Sequence, residues 1–116
     1  MKLYHFTCRH AAERIEVARW LTPHTQVQLD GRELVWLTDL EEPNRLDLGL
    51  TSNTLNCDRM EYRVTAACEA RRWPEYLREQ PRDVRLEGRR LTGIGLPMHW
   101  YVSDLPVPVL TLERLS

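Results

Sequence analysis

Lysine is all but missing from this 116-residue chain: Lys2 stands alone, and arginine supplies the remainder of the 16 basic residues that face 17 acidic ones. The resulting net charge of -1 excludes a global positive field of the kind that draws a protein onto polyanions by bulk charge. A local basic patch stays open. Cysteine is scarce and odd in number, Cys8, Cys57 and Cys68, with no Cys-x-x-Cys pair. That argues against a secreted disulfide framework and suits a reducing, cytoplasmic compartment. Five glycines and seven prolines are too few for a fibrous or low-complexity chain. No run approaches the ~18 apolar residues of a membrane span, and the opening MKLYHFTCRH has no long apolar core of a secretion signal, so no membrane partner is expected.

What remains is the composition of an ordinary globule, 42% hydrophobic and 28% charged, and one domain over residues 1–116. Folding at this size buries roughly two-thirds of the unfolded surface, enough to stand without metal or disulfide.

Residues 2–7 alternate, Leu3, His5 and Thr7 on one face and Tyr4 and Phe6 on the other, which predicts an opening strand covered on both sides. Ala11, Ile15 and Ala18 at helical spacing predict an amphipathic helix over 9–19, closed before Pro23. A turn at Asp30-Gly31 leads into a second strand, 33–38, with Trp36 and Thr38 on one face. Residues 39–56 have no sustained period and read as an excursion. Alternation returns over 58–66, a short helix is expected over 74–80, and Glu87-Gly88-Arg89 suggests a hairpin within 82–95. Two β-rich runs, 99–103 and 107–112, close the chain, with Pro106 and Pro108 favouring an edge for the last. The order predicts an α+β domain: a compact mixed or antiparallel split sheet with one or two short helices.

His5 with Thr7 and Trp36 with Thr38 would line one small-molecule cleft if the first two strands are neighbours: imidazole and hydroxyl to hold a ribose or carboxamide, an aromatic to stack a flat ring. The plain alternative is a core histidine and an ordinary strand threonine. Cys8, His10, Cys57 and Cys68 are zinc-type ligands, but their spacing matches no standard metal pattern, and no metal is expected. Asp58-Arg59 and Arg63 could form a charge cluster that grips a diphosphate, or simply make an intramolecular ion pair. The Arg71-Arg72-Trp73 and Arg89-Arg90 doublets could touch a nucleic-acid backbone, with Trp73 stacking a base, or be solvated surface.

LYHFT followed at once by an amphipathic helix and then a strand VWLT resembles the entry to the fold of the ADP-ribosyltransferase group. That group includes diphtheria toxin, the poly(ADP-ribose) polymerases, DNA-modifying toxins and the RNA 2'-phosphotransferases. The chain also looks like a set of small uncharacterised bacterial and phage proteins, with LYHFT, VWLTDL, LGLTS, CDRMEYR and WYVSDLPVPV, less than half the chain, as the shared-looking blocks. The resemblance implies that His5 hydrogen-bonds the nicotinamide-side ribose of NAD, that Thr7 is the small hydroxyl residue following it, and that Trp36 to Thr38 is the second-strand element. It implies NAD as cofactor and transfer of ADP-ribose to a macromolecular acceptor, protein or nucleic acid. Laying Trp100-Tyr101-Val102-Ser103-Asp104 on the family's Glu-Tyr-x-Val-Tyr-Asp puts His99 where the family has its catalytic glutamate. Asp104, Asp58 or Glu61 is then expected to supply the carboxylate, giving His5, His99 and Asp104 as catalytic residues and His5, Thr7, Trp36, Thr38 and Arg59 as cofactor-binding ones. The alternatives are phosphotransferase-like nucleic-acid processing, in which His5, His99 and Arg59 act on a phosphate, and a catalytically inactive interaction module, such as a phage or defence-related inhibitor.

Overall fold

The computed structural model describes residues 1–26, 29–43, 60–91 and 97–115. In chain order the elements are β1 (Lys2–Thr7), α1 (Arg9–Ala18), β2 (Trp20–Leu21), β3 (His24–Gln26), β4 (Arg32–Thr38), β5 (Tyr62–Ala67) and β6 (Arg71–Arg72). They continue with α2 (Trp73–Arg78), α3 (Arg82–Leu91), β7 (Trp100–Ser103), β8 (Val107–Pro108) and β9 (Thr111–Arg114). A 3-10 turn, Pro97–His99, leads into β7. The main sheet has seven antiparallel strands in the order β6-β7-β4-β1-β5-β9, with β3 hairpinned onto β4, while β2 and β8 form a separate two-stranded ribbon.

The expected α+β class is the class observed, with the chemistry of each local signal visible. The β3–β4 connection turns at Asp30 (φ 58°) and Gly31 (φ 75°), two consecutive left-handed positions of the kind Asp and Gly accept most readily. α1 ends where Arg19 adopts φ 63° and gives its N–H to the Ile15 carbonyl, a left-handed cap formed before the Pro23 stop. Pro106 and Pro108 lie outside the sheet interior, and β9 occupies the edge beyond β5.

The segment 82–95 corrects the hairpin expectation, because residues 82–91 are α-helical. Asp83 in the first turn and Arg89 and Arg90 in the last complement the helix dipole. Gly88 is a packing residue and not a turn: a Cβ there would lie 2.3 Å from Leu77 Cδ1 and 3.1 Å from Trp73 Cζ2, so its absence lets α3 press against α2.

Both sheet faces are covered. On one, Leu3, Val35, Leu37, Val64, Ala66 and Tyr101 pack with Leu21, Val107 and Ile15 from the ribbon and α1. On the other, Leu34, Trp36, Trp100 and Val102 pack with Leu29, Trp73, Tyr76, Leu77 and Val84 from the α2–α3 side. This double cover explains why β1 is apolar on both sides of its alternation.

Candidate active site

β4 is the centre of the site because it pairs with β1 on one side and β7 on the other. Thr38 registers with Trp100, so the residues one step further, Asp39 and His99, meet at the mouth of the β4–β7 pairing. The Asp39 N–H donates to the His99 carbonyl at 3.3 Å, and His99 Nδ1 lies 2.7 Å from Asp39 Oδ1. An ionised carboxylate only accepts, so Nδ1 carries the proton and Nε2 of the neutral ring is left with its lone pair. The side chains are 36% and 28% exposed, open enough for a substrate to reach the ring. The Tyr101 hydroxyl donates to the second oxygen, Asp39 Oδ2, at 3.5 Å. Burial, followed by the Asp39 charge, holds that phenol above its ordinary value, so it remains a donor. Such an orienting carboxylate behind an imidazole equips the ring for general acid–base work.

His5 is the second half-buried imidazole. Its Nδ1 donates to the Trp36 carbonyl at 2.7 Å, bridging β1 to β4 beyond the Tyr4–Thr38 pair and again leaving Nε2 as an acceptor. Burial pushes its pKa below the ordinary histidine value; the Trp36 carbonyl acts in the opposite sense, and His24 adds to the lowering. A neutral ring is therefore the resting form at neutral pH. β1 and β7 flank β4, and the register sets His5 in line with Leu37 and Tyr101, so His5 and His99 are two strand spacings (~10 Å) apart across the sheet and two residues (~7 Å) apart along it.

The other expected site residues fall elsewhere. β1 and β4 are neighbours, as expected, but Thr38 registers with Tyr4, which places Thr38 and Trp36 on the face opposite His5 and Thr7. Thr38 is buried and its hydroxyl accepts the Leu40 N–H at 3.1 Å. Trp36 packs against Trp73 (centroids 4.7 Å) and edge-on to Trp100 (5.8 Å), which makes it part of an aromatic core. Thr7 is buried opposite Tyr62. Asp104 follows the far end of β7, about five strand residues or ~16 Å along the chain from His99. Glu61 precedes β5 beside the Thr7 end of β1, away from the Asp39 mouth, with its Oε1 buried and unbonded among the described residues. Arg59, Asp58 and Cys57 lie outside the described residues.

Asp39 is the residue that sequence reasoning missed. Its signal was the aspartate that follows Thr38 in the block VWLTDL, yet only the β4–β7 register brings it to His99. Cys68 is a free thiol raised in pKa by burial, and no group of three or more metal-ligating side chains forms among the described residues. No described helix is long and apolar enough to cross a membrane. No protein-family model, curated protein or solved structure matches this chain.

Proposed function

We propose that this chain binds NAD or a related nucleotide across β1, β4 and β7 and transfers ADP-ribose to a macromolecular acceptor, in an ADP-ribosyltransferase-like arrangement. The observation that carries the reading is the Asp39–His99 pair. The position that resemblance assigns to a catalytic glutamate is a histidine, and the structure sets a carboxylate 2.7 Å from it. Support also comes from topology, since the three segments that resemble the family's motifs lie on three adjacent strands.

In this reaction the bond between nicotinamide and ribose breaks, nicotinamide leaves with the bonding electrons, and positive charge develops on the ribose. His5 Nε2 is placed to accept a ribose hydroxyl. His99 Nε2 takes the proton of the attacking acceptor group as the new bond to the ribose forms, and Asp39 stabilises the imidazolium. Trp36 has no stacking role here, because its rings are committed to Trp73 and Trp100.

Two imidazoles with free Nε2 atoms also suit phosphoryl chemistry, and that is the second reading. Titration with NAD, ADP-ribose and nicotinamide, followed by transfer assays with labelled NAD, separates the two. Binding of NAD that is lost in His5→Ala, and transfer that is lost in His99→Ala, support the first. No interaction with any of the three at millimolar ligand removes it. Partner capture that survives both substitutions would favour the interaction module.

A further inference from the structure

The two arginine doublets that resemblance leaves without a role converge in space. Between α2 and α3 runs an open groove of about 420 Å³ lined by Arg72 and Arg78 on one wall and Arg85 and Arg89 on the other, with Glu75 the single acid among the described residues that line it. The local charge departs from that of the whole: residues 71–91 hold seven arginines against four acids in a chain whose net charge is -1. Neighbouring acids neutralise arginines outside the groove, Arg71 by Glu79 and Arg90 by Glu87. Within it, Arg72 Nη2 donates to the Met98 carbonyl at 3.4 Å, a neutral partner that leaves its charge uncompensated by that bond. No ion pair joins Arg78 or Arg85 to an acid among the described residues.

We propose that this groove binds the phosphodiester backbone of single-stranded nucleic acid without reading its bases. Arg85 and Arg89 are about one helical turn, ~6 Å, apart along α3, and Arg72 and Arg78 stand across from them. The charges are strung along a channel and do not converge on one point, which suits a chain of single charges better than one compact polyanion. A groove of about 420 Å³ admits part of a single strand and is too small to seat a duplex. Charged side chains outnumber the apolar Pro74 and Leu77 among the described residues that line it, which suits a charged backbone better than the apolar anchor of a peptide. Trp73 is 1% exposed, stacks on Tyr76 and lies tilted against Trp36, so it is neither solvated surface nor placed to stack a base. Affinity from such a groove is almost wholly electrostatic.

The inference does not depend on NAD chemistry, and its test contains no NAD. Fluorescence anisotropy of labelled oligothymidylate and oligouridylate of about 12 nucleotides is measured with the full chain. Neutralising three or four phosphates weakens binding roughly 20- to 50-fold between about 50 and about 200 mM salt. The double variant Arg78→Gln/Arg85→Gln should lose most of the binding and lower the logarithmic salt slope by about 1.4, while Arg14→Gln on α1 and Asp39→Asn leave both unchanged. Far-UV circular dichroism and the melting temperature check that the double variant is folded. Absence of binding at low salt, or undiminished binding by a folded double variant, overturns the proposal. So does a strong preference between oligothymidylate and oligoadenylate. Tighter binding of inorganic tripolyphosphate or oligoglutamate than of the oligonucleotide at equal charge concentration also overturns it, assigning the groove to a small polyanion or an acidic peptide.

Discussion

Asp39 and His99 are 60 positions apart in sequence and 2.7 Å apart in space, joined across the mouth of the β4–β7 pairing by a side-chain hydrogen bond and, through the backbone, by Asp39 N–H to His99 carbonyl. The double link fixes the ring's orientation as well as its tautomer. Tyr101, whose hydroxyl meets the other carboxylate oxygen, limits rotation of Asp39 in turn. Each consequence for the proposed chemistry follows from that rigidity.

Asp39→Asn keeps the shape and removes the charge. The amide cannot stabilise an imidazolium, so NAD-dependent transfer should fall by at least ~100-fold. The pair is about one-third exposed, and solvent screening limits its contribution to stability to at most ~1 kcal/mol. The melting temperature should therefore move by no more than a few degrees. A fully active variant would contradict the assignment, and a collapsed one would mark Asp39 as structural.

The pH dependence of stability should report on His5. Its folded pKa is depressed by burial, so near and below the ordinary value of ~6.5 the unfolded chain binds more protons than the folded one. Stability accordingly rises with pH in that range; the His5 contribution is whole above the unfolded value and is lost as pH falls through it toward the folded one. Denaturant midpoints compared at about pH 5 and about pH 7.5 should differ more for the wild-type chain than for His5→Gln. Equal pH slopes in the two would show that another group carries the effect.

Trp73→Ala should be severe. Its ring is 1% exposed and contacts both Trp36 and Tyr76, and truncating a buried aromatic costs ~3–5 kcal/mol, a large share of the ~5–15 kcal/mol available to a small domain. Urea unfolding should show the midpoint dropping steeply or no cooperative transition at all. A loss below about 1 kcal/mol would mean that the α2–α3 layer is not integral to the core.

Gly88→Ala tests the helix–helix approach. Alanine gains up to ~1 kcal/mol in helix propensity, but its Cβ would lie 2.3 Å from Leu77 Cδ1 and 3.1 Å from Trp73. Leu77 is itself buried, and overpacking of this kind costs ~1–3 kcal/mol. The net expectation is a destabilisation of roughly 1–2 kcal/mol, read as a shifted urea midpoint. A more stable variant would indicate that α2 and α3 are less closely packed than described.

Local rules were sufficient wherever the relevant contacts lie within a few residues. Alternation in β1, Asp30-Gly31 at the hairpin, the helical spacing of Ala11, Ile15 and Ala18, and the prolines near β8 all announce their elements. They failed at 82–91, where Gly88 imitates a turn because its reason for being glycine, the Leu77 and Trp73 side chains, lies on another helix. The site divides along the same line. His5 was visible as a polar residue in an apolar strand, and His99 as the departure from a family pattern.

The chain's pattern by itself determined an α+β domain with a histidine on its first strand and arginine gathered over 71–91, because periodicity and turn chemistry act at short range. Only the tertiary structure decided that Trp36 and Thr38 turn away from His5, that Asp39 rather than Asp104 stands beside His99, and that Arg72 and Arg89, one from each arginine doublet, line one groove. The physical reason is register. In a sheet, one step in strand pairing exchanges the two faces, and that step is set by the packing of both layers at once.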